Sequence, residues 1–462
     1  MVWGRRLDAR NIARLVDDVL DTLAEFGEPG AGAQQLLAGP LATPEARVEF
    51  ATRSLRRTAR RLALHSPFYG RRFASADVPA ARIDLAAMRR IPVTTKRDLI
   101  ERPRDFLCAD VAPHLATRTT GTTGRPAEIW LSRYEMELWP ALGALSAVLR
   151  DELRPSDLMQ VNMSSRATAA MHLSAATCRL TGTGCRLLGI VPPDDALDRL
   201  AEGRATVLST CPSYLGELVT AARRRGMGPS DFHLRRIIVG GEVLSPTLAH
   251  AACQTLGVPH VDDSFSMTEI IPVTGRACTQ GHLHHDVNNG LIELLDLQTG
   301  EPAAPGALGT LVITPYFPYR DCMPVFRYDT RDVVRRLPDE QLTCEVASIP
   351  ATSQILGKVD HLLHPHGGDV IAPRQLITAI EALPTAPWPA RYRATARAGR
   401  VELVLPVSAI EGYGEAAARL HFAERGLDLD LTVSHEPPTS LRRTRSDLHE
   451  TSFTDQNALA GA

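Results

Sequence analysis

Apolar residues at Leu7, Ile12, Leu15, Val16, Val19, Leu20 and Leu23 recur with helical spacing, which predicts an amphipathic helix over 7–25. A second amphipathic helix is predicted over 45–66, with arginines crowding its polar face. Farther on the period changes. Strand-like apolar runs at Ala205–Ser209, Arg236–Val239 and Gly309–Thr314 are separated by helical stretches such as 214–225 and 245–256. Strands alternating with helices predict an α/β character for the middle of the chain. The segment Gln298-Thr299-Gly300-Glu301-Pro302, followed by Pro305-Gly306, predicts a hairpin-rich small β subdomain. Neither internal repeats nor long low-complexity segments are present, and the tail after Asp447 is expected to be frayed.

Composition narrows the class. With 462 residues and 44% hydrophobic content, the chain can build one large domain and a smaller one. A formal net charge of −2 gives no electrostatic case for binding nucleic acid or a membrane surface. No run of 18 apolar residues occurs, so a cytoplasmic enzyme is expected. The basic residues are nearly all arginine, the only lysines being Lys96 and Lys358. Eight cysteines are scattered without a C-x-x-C pair, which predicts buried reduced thiols.

The chemistry concentrates first in Thr119-Thr120-Gly121-Thr122-Thr123-Gly124-Arg125-Pro126. Glycines let backbone N–H groups approach an anion, and threonine hydroxyls add donors, so this run suits the phosphates of a nucleotide. Gly121 and Gly124 are only three apart, so it is not a Walker loop; taken alone, the octamer also fits a simple hairpin turn. Further motifs follow in order: Val239-Gly240-Gly241-Glu242, Asp263-Ser264-Phe265-Ser266-Met267-Thr268-Glu269, Val325-Phe326-Arg327-Tyr328-Asp329-Thr330-Arg331-Asp332 and Ile355-Leu356-Gly357-Lys358-Val359-Asp360. Upstream stand Ser66-Pro67-Phe68-Tyr69, Ile91-Pro92-Val93-Thr94-Thr95-Lys96-Arg97-Asp98-Leu99 and Cys211-Pro212-Ser213-Tyr214. This series resembles the adenylate-forming superfamily, most closely its phenylacetate-CoA ligase branch, over about residues 50–450.

The resemblance implies a large N-terminal adenylate-forming domain over 1–356, with mixed and parallel sheets flanked by helices plus a small β subdomain. It implies a hinge at 357–360 centred on Asp360, and a small mobile α+β C-terminal domain over 361–462. It also implies roles. Thr119, Thr120, Gly121, Thr122, Thr123, Gly124 and Arg125 would cradle the leaving pyrophosphate of ATP. Glu269 would hold Mg²⁺ and Asp332 the ribose hydroxyls, both suited to ionised carboxylates. Gly240, Gly241, Glu242, Phe265, Thr268 and Lys358 complete the implied ATP site. The acid pocket would be lined from Asn162 to Ala170, including Arg166, and by Tyr214, Gly240 and Met267. Some relatives in this branch carry a structural zinc where Cys278, His284 and Cys344 stand; here a fourth ligand must come from a neighbouring histidine, His282 or His285, or from elsewhere. Homodimers are also consistent with the resemblance.

One departure bears on the chemistry. The resemblance puts the family's C-terminal lysine, which contacts the acid and the α-phosphate, on Arg443, or on Arg442 in a shifted register, within Pro438-Thr439-Ser440-Leu441-Arg442-Arg443-Thr444-Arg445. Arginine keeps the charge but not the geometry of an ammonium. The implied catalytic contacts are therefore Glu269, Arg443 and Thr123. The expected activity is AMP-forming activation of an acid, taken as an aryl carboxylate, and transfer to CoA. Two alternatives stay open: transfer to an amine or nitrite activation for an arylamine in secondary metabolism, and a non-catalytic nucleotide-binding relative.

Overall fold

The computed structural model describes residues 8–26, 43–119, 126–164, 168–338, 342–366, 369–386, 388–397, 399–435 and 453–455. The two expected N-terminal helices form over Ala9–Phe26 and Pro44–His65. The first packs Val16 against Ala144 and Val148 of the Arg133–Leu149 helix. The arginines of the second are not a merely solvated face. Arg56 Nε donates to the Ile83 carbonyl, and Arg60 donates to the Ala81 carbonyl. Arg61 forks onto Asp110, and Arg57 and Arg61 both lie over the Phe317 ring at 4.8 and 4.6 Å. These contacts fasten the helix to the body of the protein.

An antiparallel hairpin of β1 (Leu115–Arg118) and β2 (Glu128–Leu131) comes next. The central sheet then begins with five mutually parallel strands: β3 (Leu158–Asn162), β4 (Gly184–Leu187), β5 (Val207–Thr210), β6 (Arg236–Gly240) and β7 (Val261–Phe265). Antiparallel β8 (Gly275–Ala277) and β9 (His282–His285) extend it. Helices Pro212–Arg224 and Pro246–Leu256 occupy the two stretches where the hydrophobic period predicts them. Together with β5 and β6 they bury a core that includes Leu208, Leu215, Leu218, Ile237 and Leu248.

The predicted hairpin region is β10 (Gly290–Asp296) and β11 (Leu308–Pro315), followed by β12 (Tyr328–Arg335). At the tip Asp296 accepts from the Gln298 and Thr299 N–H groups, and Gly300 takes the left-handed conformation at φ +71°. Short β13 (Ala351–Ser353) returns to pair with β9, giving the central sheet the order β13-β9-β8-β7-β6-β5-β3-β4, while β14 (Gly357–Lys358) pairs with β12. The C-terminal part has its own sheet of β15 (Arg393–Arg397), β16 (Arg400–Pro406), β17 (Asp430–Ser434) and β18 (Phe453–Asp455). It also has its own core, from Leu363 and Leu376 to Phe422 and Leu431. This is an α/β fold with mixed sheets. Among the described residues no helix is long and apolar enough to cross a membrane.

Two of the upstream motifs act through packing. Thr95 caps the Lys96–Glu101 helix with a capping box closed by Asp98. Thr94 bridges to β12: its N–H donates to the Arg327 carbonyl at 2.7 Å, and its carbonyl accepts from the Asp329 N–H at 2.9 Å. The Tyr69 hydroxyl sits 3.0 Å from the Thr94 hydroxyl and accepts from the Phe326 N–H at 2.7 Å. Arg327, at φ +50°, turns its guanidinium inward to the Met88, Arg89 and Ile91 carbonyls and forks onto Glu293 of β10. Only 4% of the Arg327 side chain and 11% of Glu293 are exposed, so losing one partner strands a buried charge. Replacing Arg327 with methionine is expected to lower the unfolding free energy by about 3–5 kcal/mol. Urea denaturation measures this, and a loss below about 1 kcal/mol, the range of a surface pair, would show that the fork does not hold the junction.

Candidate active site

The phosphate-loop sequence runs between β1 and β2, and only its two ends, Thr119 and Pro126, are described. Thr119 is buried at its neck, where its N–H donates to the Ala127 carbonyl at 2.9 Å and its hydroxyl accepts from the Ala127 N–H at 3.0 Å. Thr120, Gly121, Thr122, Thr123, Gly124 and Arg125 lie outside the described residues, as do Arg166 and Arg443. The base of the hairpin is fixed where Ser132 caps the Arg133–Leu149 helix in a capping box with Glu135. Glu135 also accepts from the Asp321 and Cys322 N–H groups, so one buried carboxylate joins β2 to the segment leading into β12.

Asp332 is aimed by an irregularity in β12. Thr310 pairs with Val333 but Val312 pairs with Asp329, so β12 places three residues where β11 has one. This bulge holds Arg331 in the left-handed region at φ +58° and turns Asp332 out of the regular ladder. Antiparallel register sets Lys358 of β14 opposite Asp332. The Lys358 Nζ lies 2.9 Å from Asp332 Oδ1 and donates to the Thr330 carbonyl, also at 2.9 Å. The other oxygen, Asp332 Oδ2, is buried without a hydrogen-bond partner among the described residues. A buried carboxylate oxygen left without a donor suits a ligand hydroxyl.

Glu269 is 3% exposed, and its Oε1 accepts a long 3.4 Å contact from the Tyr328 hydroxyl. Burial, reinforced by the Glu269 carboxylate, pushes the Tyr328 phenol well above its ordinary range, so it stays a neutral donor. At the head of the same motif, burial raises the Asp263 carboxyl to about 6, against the opposing pull of Arg374 and Arg276. Thr268 and Met267 are half-buried, and Met267 packs on the main core.

Other expected contacts have structural duties. A Cβ on Gly240 would lie 2.7 Å from Ser264 Oγ, so glycine is needed for β6 to run beside β7. Gly241 is left-handed at φ +82°. Glu242 accepts from the Ser213 N–H at 2.8 Å, at the start of the Pro212–Arg224 helix, where a carboxylate complements the helix dipole. Tyr214 is buried in the core, with its hydroxyl donating to the Val191 carbonyl at 2.6 Å. Phe265 is 9% exposed and joins the main core, which leaves little ring face for stacking on a ligand. Asp360 accepts both arms of the Arg331 guanidinium. A cavity of about 1120 Å³ opens beside the motif, with Trp139, Leu142, Leu173, Asp263, Ser266 and Arg276 on its wall; Glu269, Asp332, Gly240 and Tyr214 are not among its lining residues.

Cys278, His282, His284 and Cys344 come together, with one donor atom of each lying within 4.8 Å of the others. Strand alternation chooses the histidines: His282 and His284 share one face of β9, while His285 faces away and meets the Thr352 hydroxyl at 2.9 Å. His284 Nε2 lies 3.3 Å from Cys344 Sγ, and its Nδ1 lies 2.8 Å from the Ile349 carbonyl. An S₂N₂ set with a carbonyl orienting one ring fits zinc. The two-residue period of a strand is the signal that separates His282 from His285. None of the remaining thiols is in a disulfide among the described residues; Cys108, Cys178 and Cys322 are buried and Cys211 and Cys253 half-buried, whereas Cys185 is exposed, contrary to the expectation of uniformly buried cysteines.

Comparison with known proteins gives the class. Residues 115–316 match the family model for AMP-binding enzymes. Together with curated relatives, this match supports an AMP-forming ligase of the adenylate-forming superfamily. The curated relatives this chain resembles are all phenylacetate-coenzyme A ligases, at 24–28% identity. The phenylacetate-coenzyme A ligase of Thermus thermophilus is 28% identical over 333 residues, covering 69% of this chain and 71% of the relative. That of Escherichia coli is 25% identical over 334 residues, covering 70% and 74%. Among solved structures, 2-hydroxyisobutyryl-CoA ligase with 2-HIB-AMP in its postadenylation state superposes with a TM-score of 0.72 at 19% identity, over 90% of each chain. ATP-bound MatB from Rhodopseudomonas palustris gives 0.53 at 17% identity, over 75% of this chain and 67% of its own. Both likenesses concern the fold.

Asp332→Asn keeps the side-chain shape but replaces one acceptor oxygen with a donor. It is expected to weaken ATP binding about tenfold, near 1.4 kcal/mol. Calorimetric titration checks this, and an unchanged affinity in a variant of unchanged melting temperature would remove Asp332 from the nucleotide site.

Proposed function

We propose that this protein uses Mg²⁺-ATP to convert an aryl carboxylic acid to its acyl-adenylate and then transfers the acyl group to CoA. The observation that carries the reading is Asp332, a buried carboxylate with Lys358 on one oxygen and no partner among the described residues on the other, set by a bulge in β12. The curated phenylacetate-coenzyme A ligases support the aryl acid and the CoA acceptor.

In the first step a carboxylate oxygen attacks the α-phosphorus of ATP, and the bond to pyrophosphate breaks. The thiol of CoA then attacks the acyl carbonyl, and AMP leaves. No covalent enzyme intermediate is required, so the protein acts by alignment and charge stabilisation. Thr119 to Arg125 would cradle the leaving pyrophosphate, and Arg443 would approach the acid oxygen and α-phosphate. Asp332 would accept from the ribose hydroxyls while Lys358 holds its other oxygen in place. Glu269 would hold Mg²⁺, which supplies charge neutralisation on the phosphates. The small domain, 361–462, would turn about Asp360 relative to residues 1–356 between the two steps. Gly357 supports that placement: a Cβ there would lie 2.4 Å from Pro373 Cγ, so the neck of the hinge has room only for glycine. Zinc, held by Cys278, His282, His284 and Cys344, would tie the β8–β9 edge of the sheet to the loop before β13.

The test is AMP formation from Mg²⁺-ATP with a panel of aryl carboxylates, with and without CoA, beside wells containing nitrite and an arylamine. CoA-dependent thioester formation with an aryl acid is the expected result. Turnover only with nitrite and amine would replace the acid and the acceptor, and ATP binding without any turnover would leave a nucleotide-binding relative. For the metal, one zinc per chain is expected by mass spectrometry, falling to a small fraction in Cys344→Ser; a zinc-free wild-type protein purified without chelator would refute the site.

A further inference from the structure

The Pro373–Glu381 helix lies after the hinge in sequence, yet its polar contacts reach back to the large domain. Arg374 and Glu381 are seven residues apart, two helical turns, and so project from one face. Both meet the turn that follows Gly240-Gly241-Glu242. Arg374 Nε donates to the Ile355 carbonyl at 2.6 Å, and its Nη1 donates to the Leu244 carbonyl and to Gln354 Oε1, each at 2.9 Å. Its Nη2 lies 4.0 Å from Asp263 Oδ2, with both side chains only 13% exposed. Glu381 accepts from the Ser245 hydroxyl, and Ser245 caps the Pro246–Leu256 helix by accepting from the Leu248 N–H at 3.0 Å.

A third contact continues the same surface. Trp388 and Pro389 rest on the Pro212–Arg224 helix, where the Thr220 hydroxyl donates to the Trp388 carbonyl at 3.1 Å and Arg223 lies 4.8 Å over the indole. Gly216 allows the approach, since a Cβ there would meet Pro389 N at 2.9 Å.

We infer that Arg374 is a positioning residue that braces the nucleotide pocket only in the domain arrangement seen here. One guanidinium holds Leu244, behind the Gly240–Glu242 turn, and approaches Asp263, which heads the strand-end motif ending in Glu269. Its planar fork serves separate acceptors at once, which an ammonium on a flexible stem cannot reproduce. A rotation about Asp360 carries Arg374 away from all of them, so these bonds favour the present arrangement over any other. This role rests on the proposed adenylation activity and adds to it a residue that couples domain position to nucleotide affinity.

Two measurements test it. In acid-dependent exchange of pyrophosphate into ATP, Arg374→Ala should raise the KM for ATP about fivefold, with kcat changed less than twofold and partial recovery in Arg374→Lys. Proteinase K cleavage within 357–366 should become several-fold faster in Arg374→Ala, because the clamp no longer restrains the hinge. Unchanged KM and unchanged cleavage would overturn the inference. An equal loss in every kinetic constant with a fall in melting temperature would also overturn it, by showing a purely structural role. A wild-type protein that exchanges no pyrophosphate with any acid would sink the adenylation reading, while the cleavage comparison would still decide the clamp.

Discussion

The Arg327 junction is the constraint on which the rest of the structure depends. A left-handed arginine sends its guanidinium into the interior, where it gathers the Met88, Arg89 and Ile91 carbonyls and the Glu293 carboxylate. Burying that charge is tolerable because three carbonyls and a carboxylate meet the guanidinium. Thr94 and Tyr69 tie the same strand entrance to the N-terminal region. Beyond this anchor β12 enters its bulge, so the position of Asp332 follows from how firmly Arg327 is held.

Two sheets share the work of building the site. On one side β14 pairs with β12 and brings Lys358 to Asp332 in antiparallel register. On the other, β7 ends at Phe265 and continues into Glu269, with β8, β9 and β13 paired beyond it. The four sulfur and nitrogen donors lie at that far edge, where short strands make few ladder bonds and a metal tie would contribute most. Glycine recurs where backbones approach closely: Gly240 against Ser264, Gly357 against Pro373, Gly216 against Pro389.

The polar chemistry is divided between orientation and reception. Glu135, Glu242 and Glu381 are engaged by backbone N–H groups or a capping serine, so they hold elements in place. Asp332 differs because one of its buried oxygens has no partner among the described residues. That contrast sets Asp332 apart from these three glutamates, which composition and spacing alone do not do.

The order of motifs from Pro67 to Asp360 was legible in the sequence, and so was the α/β alternation, because hydrophobic period and glycine placement are local properties of the chain. The helices at 212–224 and 246–256 and the hairpin around Gly300 lie where that local reading puts them. Only the tertiary structure decided the duty of each polar side chain. Tyr214 turned inward because its ring fills a core and its hydroxyl finds the Val191 carbonyl, and the arginines of 44–65 found carbonyls and an aromatic ring far away in sequence. Likewise Arg374 gained its contacts from segments more than a hundred residues upstream as well as from nearby Gln354 and Ile355. Residue type and order set which interactions a chain can make; the partners a buried polar group must find are chosen by long-range packing, where an unmet donor or acceptor costs more than local propensity can supply.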